Sequence, residues 1–159
     1  MPKIDLSQIP LKTGSAYPAP HDRAMDGRSS LRLGDAGGLT QFGANLIILA
    51  PGALSSLRHW HLREDEFVMV TQGTVTLIDD TGETPMGVGD CAAFPAGDPN
   101  GHHFRNDTDT EARFLVVGTR APAEVGTYSD IDMRVEVKNG AFTFTRKDGS
   151  PLPQDESET

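Results

Sequence analysis

Two short clusters carry four of the chain's five histidines: His59-Trp60-His61, with Glu66 close behind, and His102-His103. Residues spaced i, i+2 share one face of a strand, so His59 and His61 point the same way if they lie on one. Imidazole nitrogens and a carboxylate brought together form a site for a first-row transition ion. A lone histidine is most often a hydrogen-bonded core or surface residue. Here a scarce residue type recurs beside acids at ligand spacing, and a metal site is the better reading. The carboxylate has three candidates. Glu66 shares parity with Val68 and Val70, so a strand starting there turns all three to one face and Phe67 and Met69 to the other. Glu64 has the same parity but lies nearer the turn, whereas Asp65 has the opposite parity and a shorter reach. His102 and His103 are adjacent and must point to opposite faces of a strand. Each ligating imidazole must be neutral, so acid should release the ion. Nitrogen and oxygen donors suit Mn, Fe, Co, Ni, Cu or Zn, which leaves the divalent metal's identity open.

The elements that would position these residues read as short strands. β-prone runs lie near 31–33, 39–50, 55–61, 66–70, 73–78, 90–95, 102–106 and 112–119, with turns at Pro51-Gly52 and Asp80-Thr81-Gly82. Regular spacing with glycine turns is the pattern of a β-sandwich or barrel. No amphipathic helix and no internal repeat is evident. Pro10, Pro18 and Pro20 prevent a regular helix in an extended N-terminal arm, residues 1–30, which either wraps the domain or crosses to a partner. The expected barrel spans 31–120. A C-terminal extension, 121–150, begins with an Ala121-Pro122-Ala123-Glu124 linker and contains a hairpin about Asn139-Gly140. Residues 151–159 read as a frayed polar tail.

From Pro51-Gly52 to Gly73 the chain carries His-x-His, four residues, a glutamate, six residues and a glycine; from Gly89 to Asn106 it carries Gly89, Pro95-Ala96-Gly97 and His102 with Asn106 four positions on. These stretches resemble the two motifs of the cupin superfamily over roughly Gly43 to Arg120. The resemblance implies an all-β fold, a jelly-roll barrel or double-stranded β-helix. It also implies the metal ligands His59, His61, Glu66 and His102, with His103 facing away. Gly52 lies one residue further from the first histidine than is usual, and the Asp98-Pro99-Asn100-Gly101 loop is longer; both are loop insertions that remove no candidate ligand. The fuller strings Leu54 to Val68, Gly101 to Asn106 and Gly118-Thr119-Arg120 are similar to bacterial single-domain cupins often labelled sugar-phosphate or mannose-6-phosphate isomerases.

That resemblance implies a metal-dependent isomerase or epimerase, in which the ion polarises a carbonyl while a carboxylate or histidine moves a proton. No further carboxylate or lysine in the motif region reads as an inward-facing base. A phosphate on the substrate needs positive charge at the barrel mouth. Arg58, Arg63, Arg105 and Arg120 are the candidates, and Arg120 stands out because it ends a strand. An Fe(II)-type cupin dioxygenase is the second reading, with Trp60 and Phe104 walling a pocket for an aromatic substrate. A non-catalytic protein that holds a sugar or carboxylate through the metal is the third. Neither a Gly-x-Ser-x-Gly nucleophile turn nor a phosphate-binding glycine loop occurs.

The net charge of −9 disfavours nucleic acid and anionic membranes as partners, and no run is apolar enough to span a bilayer. The expected partner is a small molecule. A homodimer is expected as well, with the arm and hairpin covering open sheet edges. A single cysteine and no signal-peptide-like stretch give a cytoplasmic expectation. Cys91, in Cys91-Ala92-Ala93-Phe94, is expected to be buried packing.

Overall fold

A computed structural model describes residues 3–153; the part of the expected tail from 154 to 159 lies outside the described residues. The strands are β1 (Lys12–Thr13), β2 (Arg28–Arg32), β3 (Phe42–Leu49), β4 (His59–His61), β5 (Glu66–Gln72), β6 (Val75–Asp79), β7 (Gly82–Met86), β8 (Cys91–Phe94), β9 (His103–Arg105), β10 (Ala112–Thr119), β11 (Ala123–Tyr128), β12 (Arg134–Lys138) and β13 (Ala141–Thr145). One turn of helix, α1 (Leu33–Ala36), and two short 3-10 turns at Leu6–Gln8 and His21–Met25 are the helical pieces among the described residues. No helix there is long and apolar enough to cross a membrane.

One layer of the fold is a six-stranded sheet in the order β1-β2-β3-β10-β5-β8. The other combines β13-β12-β11-β4 with β7-β6-β9, joined where His59 and His102 pair backbone to backbone. Two facing antiparallel layers make the jelly-roll barrel expected from the sequence motifs.

Alternation along each strand fills the space between the layers. Val68 and Val70 of β5, Ala112 and Phe114 of β10, and Ile47 and Leu49 of β3 face Val75, Met86 and Phe104 of the second layer. A smaller cluster of Tyr128, Met133 and Val135 lies toward the C-terminal hairpin, with Tyr17 of the arm and Phe144 packed against it. The arm therefore folds onto its own barrel: β1 pairs with β2, and Tyr17 meets the rings of Tyr128 and Phe144 edge-on at 5.5 and 6.1 Å. In the hairpin, Asn139 and Gly140 both have positive φ, the left-handed pair a tight antiparallel turn requires.

Four sequence expectations change. The strand expected from Leu31 begins at Arg28 and stops at Arg32, where α1 takes over. β7 is a strand beyond those expected, and its Pro85 is tolerated because β7 lies at a sheet edge. The linker at 121–124 becomes strand from Ala123 onward, with Glu124, Gly126 and Tyr128 on one face. Cys91 is exposed, not buried. β8 is an edge strand whose Ala92 and Phe94 take the inward positions, so Cys91 falls on the outer face.

Candidate metal centre

β4 sits at the edge of its sheet against β11, with His59 opposite Tyr128 and His61 opposite Gly126. Both imidazoles thus face the barrel interior, and Trp60 faces the other way. Glu66 begins β5 between Gly118 of β10 and Phe94 of β8; glycine at 118 leaves the inner face beside the carboxylate open. His102 precedes β9 and exchanges both backbone hydrogen bonds with His59, at 2.9 and 3.2 Å. It is 2% exposed, and Phe94 stacks flat on it with ring centroids 3.4 Å apart.

The four expected donors meet inside the barrel. His59 Nε2 is 3.2 Å from His61 Nε2, His102 Nε2 is 3.1 Å from Glu66 Oε1, and His61 Nε2 is 3.8 Å from Glu66 Oε2. Donors bound about 2.1 Å from one ion stand roughly 3.0–3.4 Å from one another, so the two closer pairs have ligand-like spacing. As the side chains stand, no group of three or more His, Cys, Asp or Glu among the described residues is arranged to hold an ion; the donors meet in pairs, and binding requires them to spread around a common point.

The protonation chemistry fits a cation. His59 Nδ1 donates to the Leu57 carbonyl at 2.8 Å, which fixes its proton there and leaves the Nε2 lone pair facing inward. Burial, reinforced by the neighbouring His61, pulls the His59 pKa down to about 3, so the ring is neutral. Burial acts to raise Glu66, but the hydrogen bond with His102 and the neighbouring imidazoles outweigh it and hold the carboxyl below its ordinary range. The Nδ1 atoms of His61 and His102 are buried without hydrogen-bond partners among the described residues.

The rival residues have other partners. His103 donates from Nδ1 to the Ser56 carbonyl at 2.9 Å on the far side of the strand. Asp65 Oδ1 accepts from the Ala96 N–H, and Glu64 Oε1 accepts from the Ala121 N–H, both at 2.8 Å. Glu64 nevertheless lines the same cavity as the donors, and burial raises its pKa. It corrects the expectation that the motif region holds no second inward carboxylate.

The donors open onto a cavity of about 1000 Å³ bounded by the arm, the barrel mouth and the C-terminal hairpin. Arg120 lines it, with its guanidinium on Asp35 and the Leu39 carbonyl. Phe104 lies at its floor as a core residue against Phe114. Trp60 lines a smaller recess of about 250 Å³ on the Asp98–Asn100 side, which His61 and His102 also border. Arg58 is held by Asp80 and Asp130, and Arg105 by Glu83 and Asp107, both away from the large cavity.

Sequence reasoning missed two residues here. Glu124, 4% exposed, accepts the backbone N–H groups of Leu62, Arg63 and Val125 and so fixes the loop between His61 and Glu66. Its parity with Gly126 and Tyr128 was the available signal, hidden by reading Pro122 as part of a linker. Arg28 faces the cavity from the first position of β2, ahead of the expected barrel boundary at residue 31.

Residues 45–118 match the Cupin domain family. The chain is 65% identical to a crystal structure of a sugar phosphate isomerase from a cupin superfamily of Silicibacter pomeroyi, covering 96% of this chain and 97% of that one, with a TM-score of 0.94. A protein of Acidithiobacillus ferrooxidans, provisionally named a sugar phosphate isomerase, is 30% identical over 80% of this chain and 81% of its own, with a TM-score of 0.72. The polyketide cyclase RemF of Streptomyces resistomycificus, 21% identical over 75% of this chain and 79% of its own, shares the fold with a TM-score of 0.61. No curated protein matches the sequence. The chain belongs to the cupin superfamily.

Proposed function

We propose that this cupin is a metal-dependent isomerase or epimerase of small hydroxylated carbonyl compounds, with sugar phosphates as the substrate class. The observation that carries this reading is the 65% identity, across nearly the whole chain, to the Silicibacter pomeroyi protein described as a sugar phosphate isomerase. The inward donor set supports it, since His59, His61, Glu66 and His102 are the residues that would hold a divalent transition ion. When bound, such an ion supplies positive charge that polarises a carbonyl oxygen. The chain itself supplies orientation and enclosure. His59 is held neutral by burial and aimed by Leu57, Phe94 locks the plane of His102, and the Tyr128 ring stands 5.8 Å from His59 along the cavity wall. A cavity of about 1000 Å³ accommodates a small ligand together with its water.

The test is NMR-monitored interconversion of aldose and ketose phosphates by protein as purified, paired with metal analysis. Interconversion is expected, and it should be lost on chelation and in His59→Ala. Protein carrying a full equivalent of metal yet inert across the panel would sink the isomerase reading, and consumption of dioxygen with an aromatic substrate would replace it with the dioxygenase one.

A further inference from the structure

The charges lining the large cavity are segregated. Glu64, Asp65, Glu66 and Glu124 lie on the side of the candidate metal donors. On the side built by the arm, β2 and the end of β10 stand Lys12, Arg28, Arg32 and Arg120, faced by the single carboxylate of Asp35. Asp35 pairs with Arg32 and Arg120. Lys12 and Arg28 have no carboxylate partner among the described residues. A chain of net charge −9 thus concentrates an excess of positive charge on one wall of this cavity.

Arg28 is the informative member. Its strand parity with Ser30, which is buried, turns it inward from β2, and Lys12 lies opposite Ser30 on the same face. Arg28 Nε donates to the Ser55 carbonyl at 2.6 Å, and one terminal nitrogen donates to the Gly14 carbonyl at 3.3 Å. Carbonyls orient a guanidinium without neutralising it. The remaining N–H groups keep the planar fork that suits an anionic oxygen group. Burial lowers the Arg28 pKa and the nearby Arg32 adds to the lowering, with Tyr17 opposing it only in part. Tyr17 lies beside it, its hydroxyl accepting from the Leu57 N–H, and continues the wall through Tyr128 to His59.

We propose that Arg28, with Lys12 of the neighbouring strand, is the subsite for the phosphate group of the ligand, on the β1–β2 side of the sheet that β3 and β10 separate from Glu66 on β5. This rests on the sugar-phosphate reading above. It places the cation in a residue of the N-terminal segment and removes Arg58 and Arg105 from that role, since both are already paired.

The experiment is calorimetric titration of inorganic phosphate into wild type, Arg28→Gln, Arg28→Lys and a His59→Ala/His102→Ala double variant. Glutamine retains an N–H for Ser55 while removing the charge. Phosphate binding at least ten-fold weaker in Arg28→Gln, weakened less in Arg28→Lys, which keeps the charge but loses the fork, and unchanged in the histidine double variant is expected. Equal affinity in wild type and Arg28→Gln overturns the proposal, as does loss of binding in the double variant, which would make the metal donors the phosphate site. Acetate bound more tightly than phosphate overturns the choice of phosphate. Should Arg28→Gln fold poorly, the Arg28 Nε–H resonance of wild type decides: it must shift on phosphate addition, and a static resonance under saturating phosphate overturns the subsite. The two readings fail separately. Arg28-dependent phosphate binding without turnover leaves the subsite standing and removes the isomerase, whereas Arg28→Gln with wild-type kcat/KM on sugar phosphates does the reverse.

Discussion

Glu124 reaches from β11 to the backbone of Leu62, its carboxylate oxygen 2.6 Å from the Leu62 N–H. The same carboxylate takes the N–H of Arg63 at 2.9 Å, so one buried acid pins the loop that separates His61 from Glu66. Glu124→Ala leaves the Arg63 and Val125 N–H groups without this acceptor and the Leu62 N–H with only the Val125 carbonyl, and each buried unsatisfied group costs about 1–3 kcal/mol. Denaturant unfolding should show a loss of roughly 2–4 kcal/mol, with metal affinity falling in parallel. Glu124→Gln, which keeps an acceptor oxygen, should recover part of both.

His102 and His103 are neighbours with opposite fates: His102 meets Glu66 inside the barrel, and His103 donates to Ser56 outside it. Metal content by plasma mass spectrometry should therefore fall at least ten-fold in His102→Ala and stay near wild type in His103→Ala. Equal losses in both would mean that the pair was assigned to the wrong faces.

Asp130 forms a two-oxygen pair with Arg58 and ties the turn after β11 to the segment entering β4. The hydrogen bond from Arg58, then its charge, holds the Asp130 carboxyl below its ordinary 3.8. A depressed carboxyl stabilises the fold above its unfolded value, and that contribution fades as pH falls through 3.8 toward the folded value. The Asp130 end of the pair is largely exposed, so its worth is at most about 1 kcal/mol. Melting temperature against pH should fall less steeply below pH 4 in Asp130→Asn than in wild type.

Gly101 is required by contact rather than by a turn. A Cβ there would stand 1.8 Å from Ser129 Oγ and 3.0 Å from Ser129 Cβ. Gly101→Ala forces the loop before His102 away from Ser129, at a cost of about 1–3 kcal/mol typical of overpacking. Adding Ser129→Gly should restore most of the lost stability and metal affinity, which thermal melts and metal analysis would read together.

The barrel and its four inward donors were legible because alternation and motif spacing are local. Glu66 could be separated from Asp65 by parity with Val68 and Val70, and from Glu64, which shares that parity, by its greater distance from the turn, and the hairpin at Asn139-Gly140 announced itself by turn chemistry. What escaped depends on pairing between distant segments. Arg28 joins the cavity because β2 pairs with β3, and Cys91 is exposed because β8 ends its sheet. Glu124 is buried because its partners are backbone N–H groups of Leu62 and Arg63, which no residue pattern advertises.

The arm that folds across the barrel mouth separates two kinds of inheritance. His59, His61, Glu66 and His102 all fall within residues 45–118, the stretch matched to the Cupin domain, while Lys12, Tyr17, Arg28, Arg32 and Arg120 of the cavity wall lie outside it. Substitutions in the arm and at the strand ends can reshape what enters without disturbing a single donor. Two proteins with the same barrel and the same four donors can therefore diverge in ligand through the part of the chain that a domain match leaves out.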